Sequence, residues 1–148
     1  MESLSQISEK FDLVVSSLAI HYVKDFEKLA SDVFNLLNEN GLFVFSQEHP
    51  LNTCFSEGNR WTKDEKGNKL FANLSNYSTD GVRESVWFID GVKKYHRTFS
   101  SIINTLVAAG FSIEKLIEPI PTEELLLEFP DQRDLFHKPD FLLVRGRK

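Results

Sequence analysis

The chain has one cysteine, one methionine, no run of lysine or arginine and no long apolar segment. Each shortage closes off a class of function. The single thiol, Cys54, cannot form an internal disulfide, so a disulfide-stapled fold is excluded and a reducing compartment is expected. Nothing near Cys54 in sequence would lower its pKa, so an inert thiol is preferred over a nucleophile. The densest basic patch is Lys93-Lys94 with Arg97, and the net charge is −5. A broad nucleic-acid footprint needs a basic surface, so no nucleic-acid partner is expected. The opening MESLSQISEK is polar, and no apolar run nears membrane-spanning length. Neither a secretory signal nor a membrane partner is therefore expected, and a cytoplasmic location is the default. What remains is 148 residues, 41% of them hydrophobic, without internal repeats, enough to build one ordinary domain.

The most informative stretch is residues 11–50, FDLVVSSLAIHYVKDFEKLASDVFNLLNENGLFVFSQEHP. Residues 11–20 form a near-continuous apolar run, which predicts a strand buried on both faces of a parallel sheet. Asp25 stands where a helix N-cap would. Phe26, Leu29, Ala30, Val33, Leu36 and Leu37 then recur at helical spacing. Asn40-Gly41 predicts the helix stop, with glycine in the left-handed conformation. Leu42-Phe43-Val44-Phe45 follows as a second strand, giving a βαβ unit with a right-handed crossover.

Residues 51–81 are irregular and hold scattered aromatics, Phe55, Trp61, Phe71 and Tyr77. A long irregular stretch in a compact domain predicts a partly ordered lid over a small-molecule pocket, or a loop anchored on the core by those rings. Ile89-Asp90-Gly91-Val92 has the signature of a two-residue hairpin turn. Pairing outward would oppose Trp87 with Lys94, Val86 with Tyr95, Ser85 with His96 and Glu84 with Arg97. The face bearing Val82, Val86, Phe88 and Tyr95 would then pack inward, leaving His96 toward a cleft or solvent. Phe99, Ile102, Ile103, Leu106 and Val107 mark a helix capped by Thr98 or Ser100 and stopped by Gly110. Residues 111–117 and 140–145 read as strands, with a helical turn or two over residues 123–129 between them.

FDLVVSSLAIHYVKD with LLNENGLFVFSQEHP resembles the fourth strand, following helix and fifth strand of class I S-adenosylmethionine-dependent methyltransferases of the type 11-like group. YHRTFSSIINTLVAAGF resembles the segment leading into the family's later helix and sixth strand. The resemblance implies a partial Rossmann-like α/β sheet, family strands four to seven, with an inserted loop and hairpin. The last strand would run antiparallel, between the second and third strands of the sheet. The family's glycine-rich loop and the acidic residue ending its second strand match nothing in the chain. The expectation is therefore a single truncated domain, a C-terminal half, divided into a core (11–50), a variable lid and hairpin (51–99) and a terminal part (100–148). At ~30 residues per βα unit, three absent units amount to roughly ninety residues.

Ligands of open α/β sheets lie outside the carboxyl ends of the strands. By resemblance, Ser16, Ser17, Leu18, His21 and Tyr22 would line the methionine side of the S-adenosylmethionine pocket; for the serines and His21 the competing reading is plain backbone hydrogen bonding. Glu48 and His49 follow the next strand and, with His96, are the candidates for taking a proton from a small-molecule acceptor. The competing reading of Glu48 and His49 is a polar strand end in solvent. No metal is expected. Two functions follow: methyl transfer as part of a methyltransferase, inactive alone, or a non-catalytic half-domain working through an N-terminal half or through self-association.

Overall fold

The computed structural model describes Leu4 and residues 6–85 and 91–148. Strand β1 (Phe11–Ser17) leads through a single 3-10 turn (Ile20–Tyr22) into helix α1 (Phe26–Leu36), which returns as strand β2 (Leu37–Glu48). β1 and β2 pair in parallel from Leu13↔Leu42 to Ser17↔Ser46. A short helix α2 (Pro50–Thr53), two hairpins, β3 (Trp61–Lys63) with β4 (Lys69–Ala72) and β5 (Gly81–Ser85) with β6 (Val92–His96), and helix α3 (Phe99–Ala108) follow. Strand β7 (Ser112–Ile117), helix α4 (Glu123–Glu128), a 3-10 segment (Pro130–Phe136) and strand β8 (Phe141–Arg147) complete the chain. The main sheet has the order β1-β2-β8-β7, and β8 is antiparallel to both of its neighbours. The inserted antiparallel last strand is thus where the resemblance placed it.

One face of this sheet carries the core. Phe43 and Phe45 of β2 and Leu142 and Val144 of β8 meet Phe26, Leu29, Ala30 and Val33 of α1 and Ile102 and Leu106 of α3. The rings interlock edge to face: Phe26 on Phe45 at 6.2 Å, Phe34 on Phe111 at 5.1 Å. Such pairs contribute about 0.5–1.5 kcal/mol each beyond the area they bury.

Three expectations are corrected. First, α1 ends at Leu36, before Asn40-Gly41. Its last carbonyls are met by Lys148 Nζ, which accepts none but donates to Phe34 O and Leu37 O at 2.9 Å each, and by Lys10 on Asn35 O. Cations at a helix C-terminus satisfy both its orphan acceptors and its dipole. Residues 38–41 instead form an irregularity in β2, four residues opposite the single Asp12 of β1. Asn40 there takes the left-handed conformation (φ 64°), and Gly41 is needed for space, since a Cβ would meet Asn38 O at 2.9 Å.

Second, β1 is not buried on both faces. Val14 packs on the core, but Leu13 and Val15, on the opposite face, are 52% and 63% exposed. Among the described residues nothing pairs with its outer edge. Third, the register of β5 and β6 is shifted by four residues from the expected one: Gly81 opposes His96, Val82 opposes Tyr95 and Glu84 opposes Lys93. Residues 86–90, which include Ile89 and Asp90 of the expected turn and its partners Val86, Trp87 and Phe88, lie outside the described residues. The face that packs inward bears His96, while Val82 is half exposed. Arg97 does not pair with Glu84 but donates to Val23 O and Lys24 O, holding the entry to α1.

The stop of α3 is as expected. Gly110 (φ 106°) donates to Val107 O and Phe111 donates to Leu106 O, both at 3.0 Å, the paired bonds of a Schellman motif. A Cβ on Gly110 would also meet the Phe34 ring at 2.7 Å. Gly110→Ala is therefore expected to destabilise the chain by roughly 1–3 kcal/mol, the range for a residue forced into such backbone space. Denaturant unfolding checks this; an unchanged midpoint would contradict it. The bare β1 edge predicts self-association, relieved in Val15→Lys. Sedimentation velocity should show oligomers for the wild type and a monomer-shifted distribution for the variant, and a monodisperse wild-type monomer would contradict the reading.

Candidate functional site

The parallel pairing brings the carboxyl ends of β1 and β2 side by side. At the end of β1 the chain turns sharply: Leu18 adopts φ 49° and its N–H is held by Ser46 O at 2.9 Å and Ser46 Oγ at 3.1 Å. A left-handed leucine costs on the order of 1–3 kcal/mol, and such strain concentrates at functional sites. Ser16 Oγ is buried and is the one buried side-chain polar atom without a partner among the described residues. Ser17 and Leu18 beside it are exposed. An orphaned hydroxyl next to an exposed, strained turn fits a polar ligand at this strand end.

His21 lies in the 3-10 turn, buried, with Tyr22 against its ring at 4.2 Å. Its Nδ1 accepts the backbone N–H of Glu48 at 3.2 Å, which leaves the proton on Nε2. That nitrogen faces Glu48 Oε1 at 3.9 Å. The same carboxylate oxygen is paired with Lys94 Nζ from β6. Glu48 is thus flanked by two donors at the end of β2, and Lys94 reaches it because β6 packs its His96 face inward.

The other two expected groups are placed differently. His49 caps α2, its Nδ1 accepting from Leu51 N–H at 3.1 Å, while Nε2 bonds Glu118 Oε1 at 2.9 Å. His96 is buried between the lid and α2. Its Nε2 donates to Tyr77 O at 2.8 Å, and Nδ1 accepts from Thr53 Oγ1 at 2.8 Å. In both rings each nitrogen already has a partner. The segment that His96 ties down is anchored further by Tyr77 Oη, which accepts from Phe99 N–H, and by Asp80 Oδ1, which accepts from Thr98 N–H.

A cavity of about 330 Å³ opens beside Glu48, lined also by Thr53, Phe55, Arg60, Arg83 and Phe141. Of the expected catalytic residues only Glu48 lines it. Nothing local in the sequence joins Arg60, Arg83 and Lys94; Lys94 alone carries a signal, its register near His96. The β3–β4 hairpin was legible in principle from Asp64, whose carboxylate accepts from the N–H groups of Lys66 and Asn68 around Gly67. A larger groove, about 1000 Å³, runs between α1 and α3 and lacks the Glu48 arrangement.

Burial lowers the pKa of His21, His49 and His96 below the ordinary 6.5; Glu48, Glu118 and the Tyr77 carbonyl respectively offset part of that effect. A histidine held neutral by burial binds its proton more weakly folded than unfolded. Its stabilising contribution is present above 6.5 and is lost as the pH falls below that value toward the depressed folded pKa. The melting temperature should therefore fall between about pH 7.5 and about pH 5.5, before the carboxylates titrate, and a flat profile across that window would contradict this.

Comparison with known proteins bears on the fold and the family. The family described as a methyltransferase domain matches residues 1–45. A Haemophilus influenzae protein described as uncharacterized is 38% identical over all of this chain and 58% of its own length. The crystal structure of an S-adenosylmethionine-dependent methyltransferase from Mesorhizobium loti is 37% identical with a TM-score of 0.83, over 93% of this chain and 62% of that one. A candidate S-adenosylmethionine-dependent methyltransferase from Listeria monocytogenes is 35% identical with a TM-score of 0.86, over 99% and 65%. The chain spans about three-fifths of the length of these relatives. Its fold is that of class I S-adenosylmethionine-dependent methyltransferases, and its sequence is similar to theirs.

Proposed function

We propose that this class I methyltransferase chain supplies the methionine side of the cofactor pocket and the acceptor side of the reaction, and transfers methyl groups to a small molecule only when an N-terminal half completes the site. The observation that carries this is the pairing of strand ends: an orphaned Ser16 hydroxyl on one, the Glu48 carboxylate at a cavity mouth on the other. When bound, S-adenosylmethionine supplies an electrophilic methyl group on a sulfonium. Ser16, Ser17, Leu18, His21 and Tyr22 would hold its methionine end.

The remaining work falls to residues of the chain. Glu48 takes the proton of a hydroxyl, amine or acidic carbon, exchanging one of its present contacts for that proton. Lys94 and the Nε2–H of His21 keep the carboxylate aimed during that exchange. His49 and His96, with both nitrogens engaged, act as positioning residues that fix α2 and the lid around the cavity. The second reading, a half-domain that acts only by association, is favoured by one feature, the uncovered β1 edge. Turnover by the completed assembly separates the two.

In that assembly, Glu48→Gln should lower kcat by about 10²–10⁴, the usual weight of a general base, with cofactor affinity unchanged. His49→Ala and His96→Ala should lower turnover together with the melting temperature, which Glu48→Gln should leave in place. Wild-type turnover in Glu48→Gln would remove Glu48 from the chemistry.

A further inference from the structure

We propose that the cavity beside Glu48 selects a methyl acceptor bearing a carboxylate, which Arg60 binds directly and Arg83 attracts. This rests on the reading above, in which the cavity is the acceptor site, and it names the class of acceptor. The groups facing the cavity are Arg60, Arg83 and Lys94 against Glu48, Glu84 and Asp140. Most of these cancel in pairs. Lys94 is bound to Glu48, and Asp140 Oδ1 is bound to Lys138 Nζ at 2.9 Å and to Asn52 Nδ2 at 2.8 Å. Glu84 lies opposite Lys93 in the hairpin. Neither Arg60 nor Arg83 has a carboxylate partner among the described residues.

The two arginines are held in different ways. Arg83 spends its donors on main-chain carbonyls: Nε on Cys54 O at 3.1 Å, Nη2 on Thr79 O at 2.7 Å and Asn76 O at 3.2 Å. Carbonyl dipoles fix the guanidinium without neutralising it, so a full positive charge is fastened at the cavity wall. Arg60 lies over the Phe55 ring at 4.6 Å and donates only Nη1, to Asn52 O at 3.2 Å. Its Nε and Nη2 make no hydrogen bond among the described residues, and that edge of a guanidinium can grip a carboxylate with two parallel hydrogen bonds. Stacking on Phe55 holds the plane in place, so little side-chain freedom is lost on binding. Phe55 and Phe141 give the cavity apolar walls for the rest of the molecule, and about 330 Å³ suits a small ligand.

The test uses the chain with three probes of one shape: benzoate, benzamide and benzylammonium, titrated by NMR without cofactor. Benzoate should shift the amides of Thr53, Phe55, Arg60 and Arg83 and bind about tenfold more tightly than benzamide, the equivalent of ~1.4 kcal/mol. Added salt should erode that margin. Arg60→Gln, on an exposed side chain, should abolish the preference while leaving the spectrum otherwise unchanged; Arg60→Lys should retain part of it. Equal binding of benzoate and benzamide, tighter binding of benzylammonium, or no localised shift with millimolar benzoate would each overturn the proposal. Because no cofactor is present, failure here leaves the methyl-transfer reading standing. Conversely, a benzoate preference in an assembly that never turns over would sink that reading alone.

Discussion

The parallel pairing of β1 with β2 sets the relative position of His21 and Glu48, the centre of the candidate site. The ladder runs to Ser17↔Ser46, and Leu18 N–H adds one more bond to Ser46 O before the chain turns away. Because the two strands stop together, His21 comes within reach of the Glu48 backbone and its ring is locked into one tautomer. Glu48 in turn is fixed relative to α2, which starts immediately after it on the His49 cap. Shifting the β1–β2 register by one residue would turn Phe43 and Phe45 out of the core and Glu48 into it. The register is therefore set by burial of those rings, and the site inherits its geometry from the core.

The same strand carries the main physical cost of the arrangement. Leu13 and Val15 leave much of their apolar surface in water, at roughly 25 cal/mol per Å². An edge that is apolar, free of proline and unpaired is a template for another strand. The strained Leu18 and the orphaned Ser16 hydroxyl lie at the end of that same strand. Apolar exposure, strain and an unmet hydrogen bond thus coincide on β1.

Much of this was legible in the residues. Asp25 does cap α1, Thr98 caps α3, and Gly110 ends it. Each follows from a local rule in which one side chain or one missing Cβ serves a neighbour three or four residues away. The misreadings were long-range. Asn40-Gly41 looked like a helix stop, but the helix ended earlier because Lys148 and Lys10, distant in sequence, reached its last carbonyls. The Asp90-Gly91 signature suggested a tight turn, yet β5 and β6 pair in a register four residues away, with His96 drawn inward to Thr53 and Tyr77. Histidine at a strand end reads equally well as an acid-base group or as a buried linchpin. Only the partners of both nitrogens distinguish the two. Glu48 is legible from its position alone; Arg60 and Arg83 are not, because a charge without a counterion is visible only after folding.

The central proposal is that the chain supplies one side of a cofactor pocket and an N-terminal half the other. Calorimetric titration of S-adenosylmethionine into the chain, beside the same titration into a version extended or complemented by an N-terminal half, tests that claim most directly. The account predicts little or no heat of binding for the chain alone and saturable micromolar binding for the completed form. Micromolar binding by the chain alone would contradict it.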